Sequence, residues 1–154
     1  MIQKLKSSFG RIIVKHVEQK LVFVGVPVII QNKKGEILLG KRDNKSIFYP
    51  LTWGLPGGMI NYNESIEDAA KREVLEELGI EIKLIKRTKN IQENFPTKKC
   101  RLHTIDIAHY AKITKGKPKP KDETKEVRWF SPKEIKKMKL AYSHKEILGK
   151  EGLI

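Results

Sequence analysis

The chain has 154 residues, which is enough for a buried core, and we expect a single domain over residues 1–154. Its one cysteine excludes an intrachain disulfide and a cysteine zinc cluster, and its longest apolar run, residues 21–30, is too short to span a bilayer. The 32 basic residues exceed the 18 acidic ones, and the net charge of +14 favours phosphorylated partners, either small molecules or nucleic acid.

The first 19 residues carry basic side chains, among them Lys4, Lys6 and Arg11, but no uninterrupted apolar segment of the signal-peptide kind. We therefore expect a cytoplasmic protein without a membrane partner. The segment could add an edge strand or hairpin to a sheet, or contribute to a homodimer, and the sequence leaves these alternatives open.

Two strands are predicted in the first third of the chain. Residues 20–31 (KLVFVGVPVIIQ) are dense in β-branched side chains, and residues 36–42 (EILLGKR) follow the turn sequence of residues 32–35 (NKKG). This order predicts a β-hairpin. Pro27 cannot donate to a sheet ladder, so we expect an edge position or a bulge there.

An amphipathic helix is predicted over residues 64–78, with Gly79 as its left-handed end. Its apolar positions at helical spacing are Ile66, Ala69, Ala70, Val74 and Leu78. At about 100° per residue, Glu73, Glu76 and Glu77 fall within one sector of this helix. Three carboxylates therefore share one face.

These carboxylates have two interpretations. Like charges three and four residues apart cost only about 0.2–0.5 kcal/mol per pair on an exposed helix, so a solvated acidic stripe is one alternative. A metal site is favoured because Gly57 and Gly58 allow the preceding backbone to approach a ligand closely, and Arg72 stands beside the acids. Oxygen ligands of this kind suit Mg²⁺ or Mn²⁺ bound together with substrate phosphates.

The same region holds a fixed pattern of seven residues within residues 58–80 (GMINYNESIEDAAKREVLEELGI). The seven are Gly58, Glu64, Arg72, Glu73, Glu76, Glu77 and Gly79. At about 7 % for each residue, the pattern would arise by chance at about one starting point in 10⁸. With Val74 and Ile80 at its aliphatic positions, the segment resembles a complete Nudix box. The resemblance to Nudix hydrolases implies an α/β fold, an α/β/α sandwich with a mixed sheet between helices.

The resemblance also implies a reaction and the residues that perform it. Nudix hydrolases cleave the diphosphate bond of a nucleoside diphosphate linked to another moiety. The implied ligands of Mg²⁺, or of Mn²⁺ as its substitute, are the Gly57 carbonyl, Glu73, Glu76 and Glu77. Glu73 and Glu76 are also implied to be catalytic. The implied structural residues of the box are Gly58, Glu64, Arg72 and Gly79, with an ion pair between Glu64 and Arg72.

Three strands and two helices are predicted after the box. The strands are residues 80–87, 101–113 and 127–131; one helix opens at Ser131-Pro132 and the last covers residues 143–148. Alternation in the second strand would put His103 and His109 on one face, where a structural role is favoured over a catalytic one. The four histidines, which include His16 and His144, show no close metal spacing, and Cys100 is expected to fill the core.

Candidate residues also flank the box. Family members often supply an extra acid from the loop before the late strand, which favours Glu123 as the general base over Asp122 and Glu126, with an ordinary loop acid as the alternative. Arg42 resembles the basic residue that meets substrate phosphates, and a solvent-facing strand end is the alternative there. 

Aromatic residues near the box are candidates for stacking on a base. Phe48, Tyr49 and Phe95 are the ones to test, with core packing as the alternative for each. Trp53 precedes the sequence LPGG, as is usual in the family, and its indole is expected to pack against the sheet.

Two features bear on the substrate. Pro96 lies 16 residues after Ile80, a spacing that accompanies ADP-ribose hydrolysis in the family, and residues 37–44 (ILLGKRDN) with 52–58 (TWGLPGG) resemble GDP-mannose hydrolases, although those typically have an altered box. ADP-ribose or a nucleotide sugar is the substrate we expect. 

Other readings of the family resemblance stay open. A MutT-like nucleoside triphosphate pyrophosphohydrolase that removes oxidised nucleotides would use the same box, and so would an RNA-end pyrophosphohydrolase. A non-catalytic nucleotide- or RNA-binding module would explain the net charge of +14, but the complete box disfavours it, and specific nucleic-acid binding is not expected. 

Overall fold

A computed structural model describes residues 21–98 and 100–154, so the expectations for residues 1–19, including His16, lie outside the described residues. Along the chain the elements are β1 (Val22–Gly25), β2 (Val28–Ile30), β3 (Ile37–Arg42), β4 (Trp53–Gly54), α1 (Ile66–Leu78), β5 (Glu81–Arg87), β6 (Gln92–Asn94), β7 (His103–Asp106), β8 (His109–Lys115), β9 (Thr124–Phe130), α2 (Pro132–Lys137) and α3 (His144–Lys150). None of these described helices is long and apolar enough to cross a membrane.

The strands form three small sheets of mixed direction. Their orders are β1-β7-β6, β2-β8-β5 and β4-β3-β9. β7 runs parallel to β1 and antiparallel to β6, and β8 runs parallel to β2 and antiparallel to β5. The segment that forms β1 and then β2 runs beside the segment that forms β7 and then β8. The first sheet therefore continues into the second along these two segments. The prediction of a mixed sheet is confirmed.

The core has two parts, one on each side of β2 and β3. On one side Val28, Ile30 and Leu38 pack with Ala69, Ala70, Val74 and Leu78 of α1. On the other side Ile29, Ile37 and Leu39 pack with Ile135 of α2 and with Ile147 and Leu148 of α3. Successive strand residues point to opposite faces, and burying each large aliphatic side chain contributes about 1.5–3 kcal/mol. Helices therefore cover both faces, as in the predicted sandwich.

Helix α1 begins and ends where its sequence signals direct. The Ser65 hydroxyl accepts from the Asp68 N–H at 3.1 Å, which satisfies one of the amides left free in the first turn. Gly79 follows the last turn at φ 65°, a left-handed conformation that glycine adopts without steric penalty, and its N–H donates to the Leu75 carbonyl. The predicted helix is confirmed, but Glu64 lies in the loop before it.

The single strand predicted over residues 20–31 is wrong, because Val26 and Pro27 separate β1 from β2. Here the Val26 N–H donates to the Gly58 carbonyl, and Pro27 offers no N–H of its own. The predicted hairpin is also wrong as a strand pairing. The turn forms, but β2 and β3 belong to different sheets and are joined only by an isolated bridge between Gln31 and Ile37.

The single strand predicted over residues 101–113 is likewise wrong, since β7 and β8 are separated by Ile107 and Ala108. The two breaks match, because the Ile107 N–H donates to the Gly25 carbonyl and the His109 N–H to the Pro27 carbonyl. Along β7 the even-numbered residues, such as Asp106, are buried. After the break the odd-numbered residues at the start of β8, such as His109, are buried instead. His103 and His109 therefore do not share a face.

The last third follows the prediction with small shifts. β9 begins three residues earlier than expected, and α3 ends two residues later. Helix α2 opens with a capping box in which Ser131 and Glu134 each bond the backbone of the other. Strands β4 and β6, of two and three residues, were not predicted, because such short segments show no alternation.

Candidate active site

A cavity of about 700 Å³, the size of a small-molecule site, opens beside α1 and the loop before it. Two groups of residues line it from different parts of the chain. The group that we call the box wall comprises Gly57, Gly58, Arg72, Glu73, Glu76 and Glu77. The group that we call the far wall comprises Gly25, Thr104, Asp106, Tyr142 and His144.

Two glycines shape the loop of the box wall. Gly57 has φ 134°, and a Cβ on it would lie 2.4 Å from the Val26 carbonyl oxygen. A Cβ on Gly58 would lie 2.4 Å from the carboxyl carbon of Glu73. Only glycine fits at both positions, since any side chain would displace the backbone or the Glu73 carboxylate.

Arg72 ties the loop to the helix. Its Nε donates to Glu64 Oε1 at 2.7 Å and its Nη2 to Glu64 Oε2 at 3.0 Å, while Nη2 also donates to the Met59 carbonyl at 3.0 Å. The predicted ion pair is therefore present in its two-bond form. The hydrogen bond from Arg72 lowers the pKa of Glu64, and the same contact raises the pKa of Arg72.

Arg72 also contacts two of the acids implied to act in catalysis. Its Nη1 donates to Glu73 Oε1 at 2.7 Å and to Glu76 Oε2 at 3.3 Å. The guanidinium group thus neutralises part of the acidic cluster as well as fixing the loop. This second contact was not foreseen from the sequence.

Burial makes two acids of the box wall, Glu73 and Glu77, costly to ionise. It raises the pKa of Glu77 to about 8, with further increases from Glu73 and Glu123, against the lowering effects of the Gly57 N–H and Arg42. The Gly57 N–H donates to Glu77 Oε2 at 3.0 Å. Burial also raises the pKa of Glu73, although the bond from Arg72 opposes this. A cation placed between these carboxylates would stabilise their charged forms.

The donors present suit a hard divalent cation. They are carboxylate oxygens together with the Gly57 carbonyl. The carbonyls on either side of it, of Pro56 and Gly58, accept from the N–H groups of Val28 and Val26. Across residues 21–98 and 100–154, however, no three side chains of histidine, cysteine, aspartate or glutamate are arranged to enclose an ion. Glu73 and Glu76 each place one carboxylate oxygen on Arg72 instead.

Three of the predicted flanking residues line the cavity, namely Arg42, Phe48 and Glu123. Arg42 does not face solvent as a free strand end: its Nε donates to the Phe48 carbonyl at 2.9 Å, and its guanidinium lies 5.3 Å from the centre of the Tyr142 ring. Glu126, in contrast, forms a surface ion pair with Lys41 at 2.8 Å. 

Other predicted residues lie elsewhere. Phe95 is 65 % exposed, its ring centre is 4.9 Å from that of His103, and it is absent from the described cavity lining. Tyr49 packs against Tyr142 with ring centres 4.9 Å apart. The expected packing of Trp53 is confirmed by its edge contact with Phe130 at 4.8 Å, and Cys100 is buried, as expected.

The far wall was missed by the sequence analysis. His144 is buried, and its Nδ1 accepts from the Leu55 N–H at 3.0 Å; burial, with a contribution from Arg42, lowers the pKa of His144 to about 3. Asp106 is also buried. The one available signal was a charged residue between two isoleucines in a predicted strand, at Asp106.

A family model described as the NUDIX domain matches residues 22–149. The chain belongs to the Nudix family. This Nudix hydrolase is a pyrophosphatase that acts on anhydride bonds, in a family whose members act on nucleotide-derived small molecules and generally use divalent metal ions.

Individual relatives of this Nudix hydrolase have different names. It is 33 % identical over 125 residues to an ADP-ribose pyrophosphatase of Methanocaldococcus jannaschii, covering 81 % of this chain and 70 % of the relative. It is 26 % identical over 133 residues to the nucleoside triphosphatase NudI of Escherichia coli, covering 82 % and 94 %. The crystal structure of a MutT protein from Methanosarcina mazei Go1 matches with a TM-score of 0.73 at 28 % identity, covering 87 % and 95 %.

Proposed function

We propose that this Nudix hydrolase, acting as a single domain, uses Mg²⁺ to cleave the diphosphate of a nucleoside diphosphate linked to another moiety, with ADP-ribose or a nucleotide sugar as substrate. The observation that carries the proposal is that three box carboxylates, Glu73, Glu76 and Glu77, line a cavity of about 700 Å³, large enough for a small-molecule substrate. The similarity to a protein named ADP-ribose pyrophosphatase supports the substrate class.

The residues that would hold the metal are Glu73, Glu76, Glu77 and Gly57, the last through its carbonyl. A divalent cation bound there would neutralise charge on the diphosphate and activate water as the nucleophile. If Glu73 and Glu76 turned from Arg72 to a cation, that arginine would keep its bonds to Glu64 and to the Met59 carbonyl. These bonds would hold the loop in position.

The chain's own groups then position the substrate and accept a proton. Arg42 is placed to contact a phosphate oxygen, because it is half-buried and lines the cavity. Water attacks one phosphorus, the new P–O bond forms as the bridging P–O bond breaks, and two phosphomonoesters leave. The water proton passes to a carboxylate, for which we propose Glu123.

An assay of ADP-ribose, nucleotide sugars and dinucleotide polyphosphates with Mg²⁺ tests the proposal. We expect turnover of at least one class, and a loss of about 10³-fold in kcat when Glu76→Gln and Glu77→Gln are combined, since general acid–base and metal contributions are of this order. The control is Glu67→Gln, an exposed acid of the same helix, which should keep full activity. No turnover, or turnover unaffected by the double substitution, contradicts the proposal.

A nucleoside triphosphate pyrophosphohydrolase is the second candidate, supported by the similarity to NudI over 94 % of that protein. Adding dGTP and its 8-oxo form to the panel separates the two, because this activity releases inorganic pyrophosphate. Triphosphorylated RNA tests the RNA-end alternative. Salt-sensitive RNA binding that survives the double substitution would identify a non-catalytic binding module instead.

A further inference from the structure

Asp106 is a buried carboxylate at the same cavity, and the proposed mechanism does not use it. It is the last residue of β7 and is 6 % exposed. In the pairing of β7 with β1 it lies opposite Gly25. A Cβ on Gly25 would lie 2.2 Å from Asp106 Oδ1 and 3.8 Å from the Gly58 carbonyl oxygen. Because Gly25 has no side chain, the Asp106 carboxylate fits beside it, close to the loop of the box wall.

Neutral donors hold Asp106 in place. Asn94 Nδ2 donates to Asp106 Oδ2 at 2.8 Å and to Thr104 Oγ1 at 2.9 Å, and Ser143 Oγ donates to the same Oδ2 at 3.4 Å. Burial raises the pKa of Asp106, and these hydrogen bonds oppose the increase. Oδ2 therefore accepts from both Asn94 and Ser143. Oδ1 lies beside Gly25, which also lines the cavity.

The arrangement differs from an ordinary structural carboxylate. A buried carboxylate is normally compensated by a cation, yet the groups that act on Asp106 are an amide and two hydroxyls. A carboxylate here also disfavours phosphate, and in the proposed function the diphosphate lies at the box wall. The part of the substrate that reaches Asp106 must therefore be uncharged and must donate hydrogen bonds.

We propose that Asp106 is a specificity-determining residue that accepts a hydrogen bond from the nucleoside part of the substrate, with Asn94 and Gly25 positioning its carboxylate. This inference rests on the proposed function for the identity of the substrate class. The donor is a ring N–H or amino group of the base, or a ribose hydroxyl. The base and the ribose carry these neutral donors on the same nucleoside. The ligands in the test differ in the base or in the 2′-hydroxyl, so the results distinguish the two.

The test measures binding of AMP, GMP and 2′-deoxyAMP to the full chain by calorimetry, for the wild type, Asp106→Asn and Asp106→Ser. A hydrogen bond to a charged acceptor discriminates by about 10- to 100-fold. We expect the wild type to discriminate among the three ligands and both variants to lose most of that discrimination. Loss between AMP and GMP identifies the base as donor, and loss between AMP and 2′-deoxyAMP identifies the ribose.

The matched control is Glu93→Gln, which removes one negative charge from an exposed position in neighbouring β6 and should leave the preference unchanged. On the hydrolysed substrate, Asp106→Asn should raise KM with little change in kcat, a division that a general loss of folding would not produce. Thermal melting tests whether each variant is folded, and Asp106→Ser keeps the comparison possible if Asp106→Asn does not fold.

A wild type without preference, or variants that keep the wild-type preference, overturn the inference. The binding measurement also separates it from the proposed function. If the wild type hydrolyses none of the substrates but shows a preference that depends on Asp106, the proposed reaction is wrong and the role of Asp106 stands. If hydrolysis is present and the preference does not depend on Asp106, the proposed reaction stands and the role of Asp106 is wrong.

Discussion

The box wall and the far wall enclose one cavity but are assembled in different ways. The box wall comes from residues 57–77, a loop and one helix, and Arg72 joins two of its acids, Glu73 and Glu76. The far wall comes from β1, β7 and the segment around the start of α3, and its polar groups are held by neutral donors. We infer that substitutions in the box wall change chemistry, and those in the far wall change stability and substrate choice.

Among the single substitutions, Gly58→Ala should give the largest effect, and it tests the box wall. The new Cβ would lie 2.4 Å from the carboxyl carbon of Glu73 and must displace it. A displacement of about 1 Å at a catalytic group lowers rates by about 10²-fold, so we expect a fall of that order in kcat. Steady-state kinetics measure it, and unchanged activity would show that the position of Glu73 does not matter.

Arg72→Lys tests whether the box wall is also a structural clamp. Lysine keeps the charge but cannot form the two-bond contact with Glu64, and it leaves the Met59 carbonyl without its donor. We expect the free energy of unfolding to fall by about 1–3 kcal/mol, in urea denaturation without metal. A fall in kcat with unaltered stability would limit Arg72 to the chemistry.

His144→Asn tests the far wall through the pH dependence of stability. The pKa of His144 is lowered to about 3 in the folded protein, against 6.5 for the free group, so only the unfolded chain binds this proton between those values. The neutral His144 therefore contributes fully to the free energy of unfolding above pH 6.5. This contribution is lost as the pH falls, and the free energy of unfolding is lower by about 1.4 kcal/mol at pH 5.5. Asparagine keeps an acceptor for the Leu55 N–H and does not titrate.

The measurement is the free energy of unfolding at pH 7.5 and pH 5.5, for the wild type, His144→Asn and the control His103→Asn. We expect the decrease on acidification to be smaller in His144→Asn than in the other two proteins. Equal decreases in all three would mean that His144 is accessible to protons in the folded state. His109, whose pKa is also lowered by burial, is present in all three and cancels.

Gly149→Ala should have the smallest effect and gives a baseline outside both walls. Gly149 is exposed in α3, and a Cβ on it would meet no atom within 4 Å. Alanine restricts the unfolded chain, so we expect a gain of about 0.5–1 kcal/mol in unfolding free energy with unchanged kinetics. Thermal melting measures the gain, and altered kinetics would show that α3 is coupled to the cavity.

The box wall could be predicted because its geometry is local. The three acids lie three and four residues apart on one helix, Ser65 and Gly79 mark its ends, and neither depends on distant contacts. The ion pair of Glu64 and Arg72 was likewise expected, and it is present.

The far wall could not be predicted, because its residues meet only through contacts between distant parts of the chain. The change of phase between β7 and β8 shows the difficulty: it follows the break at Pro27, about 80 residues earlier in the chain. Alternation within residues 101–113 alone put His103 and His109 on one face and gave no indication that Asp106 points into a cavity.

The parallel pairing of β1 with β7 has a consequence for folding kinetics. Val22 lies opposite His103, so the chain must close a loop of about 80 residues before this sheet exists, whereas α1 can form from contacts a few residues apart. We expect helical signal to appear early in refolding and nucleotide binding to appear late. During synthesis, the acids of the box would emerge from the ribosome before β7 does. They would therefore be exposed to solvent before the nucleotide cavity can form.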